Sequence, residues 1–163
     1  MPSGWFFANW CAIVATFEHP ISKLTRLNVK SAIDASPMTA AELSRLLHLA
    51  SGISADRFGN AGVRVLATPM LVSYFELAAH QLALPALEPG QGTVGSHIDV
   101  RHLAATPIGM RVVFRATLAG RDGRRLVFRV EADDEQERVG EGTHERFVVD
   151  MARFMGRIAR KQP

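Results

Sequence analysis

The stretch Ala67 to Leu84, ATPMLVSYFELAAHQLAL, and the change of period after it limit the fold more than any other feature of the sequence. Met70, Leu71, Phe75, Ala78, Ala79 and Leu82 recur at helical offsets, and Leu71, Val72, Phe75 and Leu77 spread apolar surface around most of the circumference. A helix greasy on most sides is normally buried. Thr68-Pro69 reads as N-cap followed by N1, since proline pre-sets the helical φ and its missing N–H would be unpaired there. Glu76 stands two turns in, between Phe75 and Leu77. A carboxyl taken out of water is suited to acid/base or nucleophilic work. Ser73, Glu76 and His80 at i, i+3 and i+7 also match the solvated stripe of an ordinary amphipathic helix, so the pattern alone leaves both readings open.

Beyond Pro85, Pro89, Gly90 and Gly92 the apolar period drops from 3.6 to 2. Thr93 to Val100 reads as a strand, and His102 to Gly109, HLAATPIG, as a turn holding a second Thr-Pro. Arg111 to Leu118 alternates, with Val112, Phe114, Ala116 and Leu118 toward a core. Asp122-Gly123 marks a hairpin, after which Leu126, Phe128, Val130 and Ala132 repeat the inward pattern. Arg138 to Val149 is the next strand, broken or bulged around Gly140 and Gly142. Met151 to Lys161 reads as a short basic helix. One buried helix followed by a run of antiparallel strands predicts an α+β fold in which the sheet wraps the helix.

Upstream the signals thin out. Trp5 to Phe17 is apolar for thirteen residues, short of the roughly 20 that a membrane helix needs. No Lys or Arg precedes it as a signal peptide would require. We expect residues 1–27 to be a leader or docking segment and 28–163 to be the domain. Asn28 to Ile33 is a candidate first strand. Thr39 with Glu42 three residues on is a capping-box signature that predicts a helix over about 39–50. Ser51 to Gly62 reads as a loop.

Composition excludes more than it proposes. A chain of 163 residues, 47% hydrophobic, can bury a core as one domain. Its net charge of +3 rests on dispersed cations with no aromatic stacking platform, which argues against nucleic acid. Cys11 is the only cysteine, so no intramolecular disulfide or cysteine-based zinc site can form, and a reducing cytoplasm is the expected compartment. The six histidines include no HxH or HxxxH pair, so no metal is expected.

Taken together, ATPxxxxxxE at 67–76, GQGTVGSH at 90–97, HLAATPIGM at 102–110, DGRRLVF at 122–128 and GEGTHERFVVD at 140–150 resemble hotdog-fold thioesterases of the fluoroacetyl-CoA thioesterase type. The resemblance runs from about Gly62 to Lys161. It implies a long helix wrapped by an antiparallel sheet, a homodimer, and hydrolysis of a small-to-medium acyl-CoA without a cofactor or membrane partner. By the same resemblance Thr68, Glu76 and His102 match the family's catalytic residues, and Gly95 matches a glycine lining the acyl site. The helix opens with Thr-Pro where the fluoroacetate-specific enzyme has Thr-Gly, so the acyl group is left open.

The implied chemistry is sound on general grounds. A helix N-terminus can meet a developing oxyanion. Glu76 could attack the thioester carbonyl or activate water, His102 could move protons near neutral pH, and Thr68 could position by hydrogen bonding. From the residues alone, Thr68 also reads as a plain cap and His102 as a turn histidine. Arg101, Arg111, Arg121, Arg124 and Arg125 are candidates to meet the phosphates of coenzyme A, though a solvated strand face explains them equally well. A non-catalytic acyl-CoA-binding module on the same scaffold is the competing expectation.

Overall fold

The computed structural model describes residues 42–48 and 51–161. Five strands, β1 (Glu42–His48), β2 (Gln91–His102), β3 (Arg111–Asp122), β4 (Arg125–Asp133) and β5 (Arg138–Asp150), form one antiparallel sheet in the order β1-β3-β4-β5-β2. Helix α1 (Thr68–Ala83) lies against all five strands, and α2 (Met151–Ala159) follows β5. This is the expected α+β arrangement.

Periodicity explains the core. Leu71, Phe75, Ala78, Ala79 and Leu82 of α1 face the sheet, whose inner surface is Val112, Phe114, Ala116 and Leu118 from β3 and Leu126, Phe128, Val130 and Ala132 from β4. All of the inward positions expected on β3 and β4 are buried. Phe114 sits at the centre, 5.0 Å from the Tyr74 ring and edge-on to Phe75 at 5.7 Å. Each fully buried phenylalanine contributes about 1.5–3 kcal/mol. The β3–β4 hairpin turns at Gly123, whose φ of +56 is the backbone geometry that Asp-Gly supplies.

Two expectations change, and two fall outside the described residues. The helix predicted over about 39–50 is, in its described part, strand β1, paired with β3 from Glu42↔Thr117 to His48↔Arg111. The capping-box pattern is a local preference, and ladder hydrogen bonds along seven residues of β3 override it. The candidate strand at Asn28 to Ile33 and residues 1–27 lie outside the described residues. His102 ends strand β2 rather than standing in the turn after it.

The irregularity that matters most is in β2. Gly95 pairs with Arg146 and His97 with Glu145, which leaves Ser96 as an extra residue. Before it, Thr93 and Gly95 face the helix; after it, Ile98 and Val100 pack against the core and His102 meets the helix start. Gly95 and His102 are seven residues apart and would point to opposite faces of a regular strand. The bulge puts them on the same face. In β5, Val139 is the extra residue opposite β4, beside the glycine where a bulge was expected.

Candidate active site

The four site residues expected from the sequence fall into two groups on the same flank of α1. At the helix start, Thr68 Oγ1 and His102 Nδ1 are 2.8 Å apart. Thr68 is not the N-cap: Ala67 is, and its carbonyl takes the N–H groups of both Met70 and Leu71. Pro69 has no N–H, so the donors at this end come down to Thr68 itself. Freed from capping, its hydroxyl reaches the histidine 34 residues away. Burial pushes His102 below its ordinary value, with the Ala104 backbone partly offsetting it. His102 Nε2 is buried without a hydrogen-bond partner among the described residues.

Glu76 is elsewhere. Eight residues of helix separate it from Thr68, about 12 Å along the axis. Its side chain is 42% exposed, so the burial expected for it is only partial in a single chain. Gly95 lies directly beneath: a Cβ there would overlap Glu76 Oε1 and come within 3.2 Å of His144 Cε1. Any larger residue at position 95 would therefore collide with the Glu76 carboxylate.

Around Glu76 stands a network that sequence reasoning missed. Arg146 is buried, and its Nε–H donates to Thr93 Oγ1 at 3.0 Å while Nη2 donates to the Thr93 carbonyl at 3.0 Å. Nη1 reaches His144 Nε2 at 3.1 Å and lies 3.9 Å from Glu76 Oε1. Nη1 also donates to the Glu76 carbonyl at 3.4 Å, so backbone and side chain of that residue are both tied to the guanidinium.

The hydrogen bonds assign the tautomers. His144 Nδ1 faces the His97 carbonyl at 2.9 Å and must donate, which leaves Nε2 to accept from Arg146. Thr93 Oγ1 accepts from Arg146 and can therefore donate to His80 Nδ1 at 3.1 Å. Both imidazoles thus aim lone pairs toward the guanidinium and stay neutral. Burial first, and then Arg146, push both below the ordinary histidine range, against the Glu76 charge and, for His144, the His97 carbonyl. At 3.7 Å, neutral His144 touches Glu76 without donating to it.

The signal for this network was present in GEGTHERFVVD. His144 and Arg146 share the strand face of Val148, and all three are buried. Polar residues in phase with a core-facing valine mark a buried hydrogen-bonded cluster. Of the arginines considered for phosphate contact, Arg111 pairs with Glu135 at 2.6 Å and Arg125 with Glu145 at 3.4 Å. Arg101 lines a shallow cleft with Asp99, Arg129, Glu131 and Glu141 on the outward face of the sheet, away from Glu76 and Thr68. Among the described residues no three His, Cys, Asp or Glu side chains gather as a metal set, and no helix is long and apolar enough to cross a membrane.

Comparison with known proteins bears on the family and the fold. The family model described as fluoroacetyl-CoA-specific thioesterase matches residues 52–152. The fluoroacetyl-CoA thioesterase of Streptantibioticus cattleyicolor is 42% identical over 99 residues, 61% of this chain and 71% of that one. A solved structure of the fluoroacetyl-CoA thioesterase FlK superposes with a TM-score of 0.71 at 33% identity, covering 75% of this chain and 95% of that chain. Variants of FlK have been solved with fluoroacetate and CoA and with acetyl-CoA. A thioesterase superfamily member from Thermus thermophilus matches at 32% identity and a TM-score of 0.68, over 73% of this chain and 88% of that one. A hot-dog-like protein from Thermanaerovibrio acidaminovorans, 22% identical, shares the fold with a TM-score of 0.70. With more than half of its length matched by the family model, and with the same helix-on-sheet architecture, this chain is a hotdog-fold protein that belongs to the fluoroacetyl-CoA-specific thioesterase family.

Proposed function

We propose that this protein is an acyl-CoA thioesterase, cleaving a small-to-medium acyl-CoA with water to the free acid and coenzyme A, and that Thr68, Glu76 and His102 carry the chemistry. The observation that carries the reading is the 2.8 Å Thr68–His102 hydrogen bond, which joins a hydroxyl at a helix N-terminus to an imidazole, the side chain suited to proton transfer near neutral pH. The helix dipole and the Thr68 hydroxyl meet the charge that grows on the thioester oxygen. Glu76 attacks the carbonyl carbon or takes a proton from the attacking water, and Arg146 fixes its carboxylate. His102, its Nδ1–H donating to Thr68, receives at Nε2 the proton that the water gives up and passes it to the departing thiolate. Gly95 leaves room for the Glu76 carboxylate itself, which a side chain at that position would displace.

In this reading the working unit is a homodimer. Strand β2 is an edge of the sheet and has an unpaired side. An antiparallel pairing of β2 with its copy, centred between Ile98 and Asp99, sets Gly95 opposite the partner's His102. Glu76 of one chain then approaches the Thr68–His102 pair of the other, which removes the separation of about 12 Å within one chain. Residues 28–163 form the domain, with 1–27 outside it, consistent with a family match that begins at residue 52. The lone cysteine supports a cytoplasmic setting.

A panel of acyl-CoAs assayed for free thiol release tests the reaction, and sedimentation should give a species near twice 17.8 kDa. Glu76→Gln, folded and dimeric, should lower kcat by about 10²–10⁴-fold on the best substrate. Near-normal turnover would remove Glu76 from the mechanism. Binding without turnover on every acyl-CoA would make the protein a binding module.

A further inference from the structure

The second Thr-Pro, at Thr106-Pro107, has no part in the chemistry above, yet Thr106 is wholly buried. Its hydroxyl donates to Asp134 Oδ2 at 2.9 Å, across 28 residues. A buried hydroxyl in a packed site where valine would fit by shape calls for a reason, because it must be hydrogen-bonded to be tolerated. Asp134 is itself fixed: its Oδ1 accepts the N–H groups of Gln136 at 2.8 Å and Glu137 at 2.9 Å, and its own N–H donates to the Glu137 carbonyl. Burial alone would push the Asp134 carboxyl up. The Glu137 and Gln136 N–H groups and the Thr106 hydroxyl outweigh it and hold the group below its ordinary value, as a charged anchor in the β4–β5 turn.

The backbone of Thr106 does a second job. Its carbonyl accepts the Leu66 N–H at 2.8 Å, two residues before Thr68. The bridge between Val65 and Pro107 and the bond from Ile108 N–H to the Arg64 carbonyl extend the contact. On the other side, Leu103 N–H donates to the Val139 carbonyl at 2.9 Å, directly after His102. Thr106 is thus the crossing point between the segment that delivers Thr68, the loop that follows His102, and a rigid turn.

We propose that Thr106 and Asp134 form a positioning strut that holds His102 and Thr68 in hydrogen-bonding register without touching substrate. The proposal rests on the roles given above to Thr68 and His102. The two residues come from different segments, and a hydrogen bond weakens steeply once distance and angle drift from their optimum. A hydroxyl-to-carboxylate tie gives the loop a fixed length that apolar packing alone does not.

The test uses the full-length protein with Thr106→Val, Thr106→Ser and Asp134→Asn, each alone and combined with His102→Ala. Thr106→Val should lower kcat by about ten- to a hundredfold, the scale of a small misplacement, with KM within about twofold, and Thr106→Ser should restore it. In the His102→Ala background, Thr106→Val should lower kcat no further. In protein carrying nitrogen-labelled histidine, the His102 ring signals should shift in Thr106→Val and return in Thr106→Ser. Unchanged kcat and ring signals in folded Thr106→Val, or an equal loss with and without His102, would overturn the strut. Full turnover in His102→Ala would instead sink the catalytic assignment, and the ring signals then judge the strut alone. Asp134→Asn keeps the volume and the turn acceptor but replaces the Oδ2 acceptor with a donor. It should change kcat and ring signals in the same direction, and it decides the matter if the valine variant does not fold.

Discussion

The two halves of the candidate site, two turns apart on α1, are built in opposite ways. Around Glu76 a single buried guanidinium is tied to Thr93, His144 and the Glu76 backbone, with neutral imidazoles on two sides. At the helix start one hydrogen bond joins an exposed threonine to a half-buried histidine. The first half is preorganised by interactions that the chain must make in order to fold around a buried cation. The second depends on backbone segments arriving at the right place. Changes to Arg146 and its hydrogen-bond partners should therefore act on stability and activity together, whereas changes near Thr68 should act on activity almost alone.

Arg146→Met tests that contrast with the largest expected effect. It leaves the Thr93 carbonyl and His144 Nε2 buried without a donor, and should cost about 3 kcal/mol in chemical denaturation. Loss of well under 1 kcal/mol would mean that the network is ornamental to the fold. Gly95→Ala should follow. The atom that its Cβ would meet is the far end of a flexible side chain, so the protein should fold normally while the Glu76 carboxylate is displaced. Steady-state assays should show kcat lowered about tenfold or more; an unchanged kcat would show that the carboxylate position is not critical.

Acid should weaken the Glu76 half next. His144 and His80 are held neutral in the folded chain, below their ordinary value of 6.5. The unfolded chain takes up these protons first as pH falls through about 6.5, so unfolding free energy should be fully present above that pH and decline below it. The slope is at most about 1.4 kcal/mol per pH unit per histidine, measurable by denaturation between pH 7.5 and 5.5. A flat profile would show that these imidazoles are not kept neutral by the fold. Thr68→Ala should have the smallest effect on stability, about 0.5 kcal/mol or less, because its hydroxyl is exposed and does not cap the helix. A loss near that of Arg146→Met would erase the distinction between the halves.

How much of this was legible follows from how local each signal is. Inward positions of β3 and β4 were readable because alternation is written into consecutive residues, as with Val112, Phe114, Ala116 and Leu118. Helix α1 was readable from its period and its Thr-Pro start, although the position of the cap moved by one residue. The strand nature of Glu42–His48 was not readable, because it depends on a partner strand about 70 residues later. Thr68, Glu76, His102 and Gly95 were picked out by resemblance. Their division into two groups came only from the helix rise and the strand register. Arg146 was overlooked because an arginine in a strand reads as solvated unless its phase against neighbouring apolar residues is checked.

The bulge at Ser96 makes the phase of β2 as much a functional property as its side chains. A regular two-residue repeat run straight through Ser96 would turn His102, Val100 and Ile98 to solvent and charged Asp99 and Arg101 into the core. Removing Ser96 would instead leave Gly95 and His102 six residues apart, on one face of an unbulged strand and opposite the same β5 residues. Deletion of that residue is therefore a length change that leaves both the glycine under Glu76 and the histidine beside Thr68 where they stand.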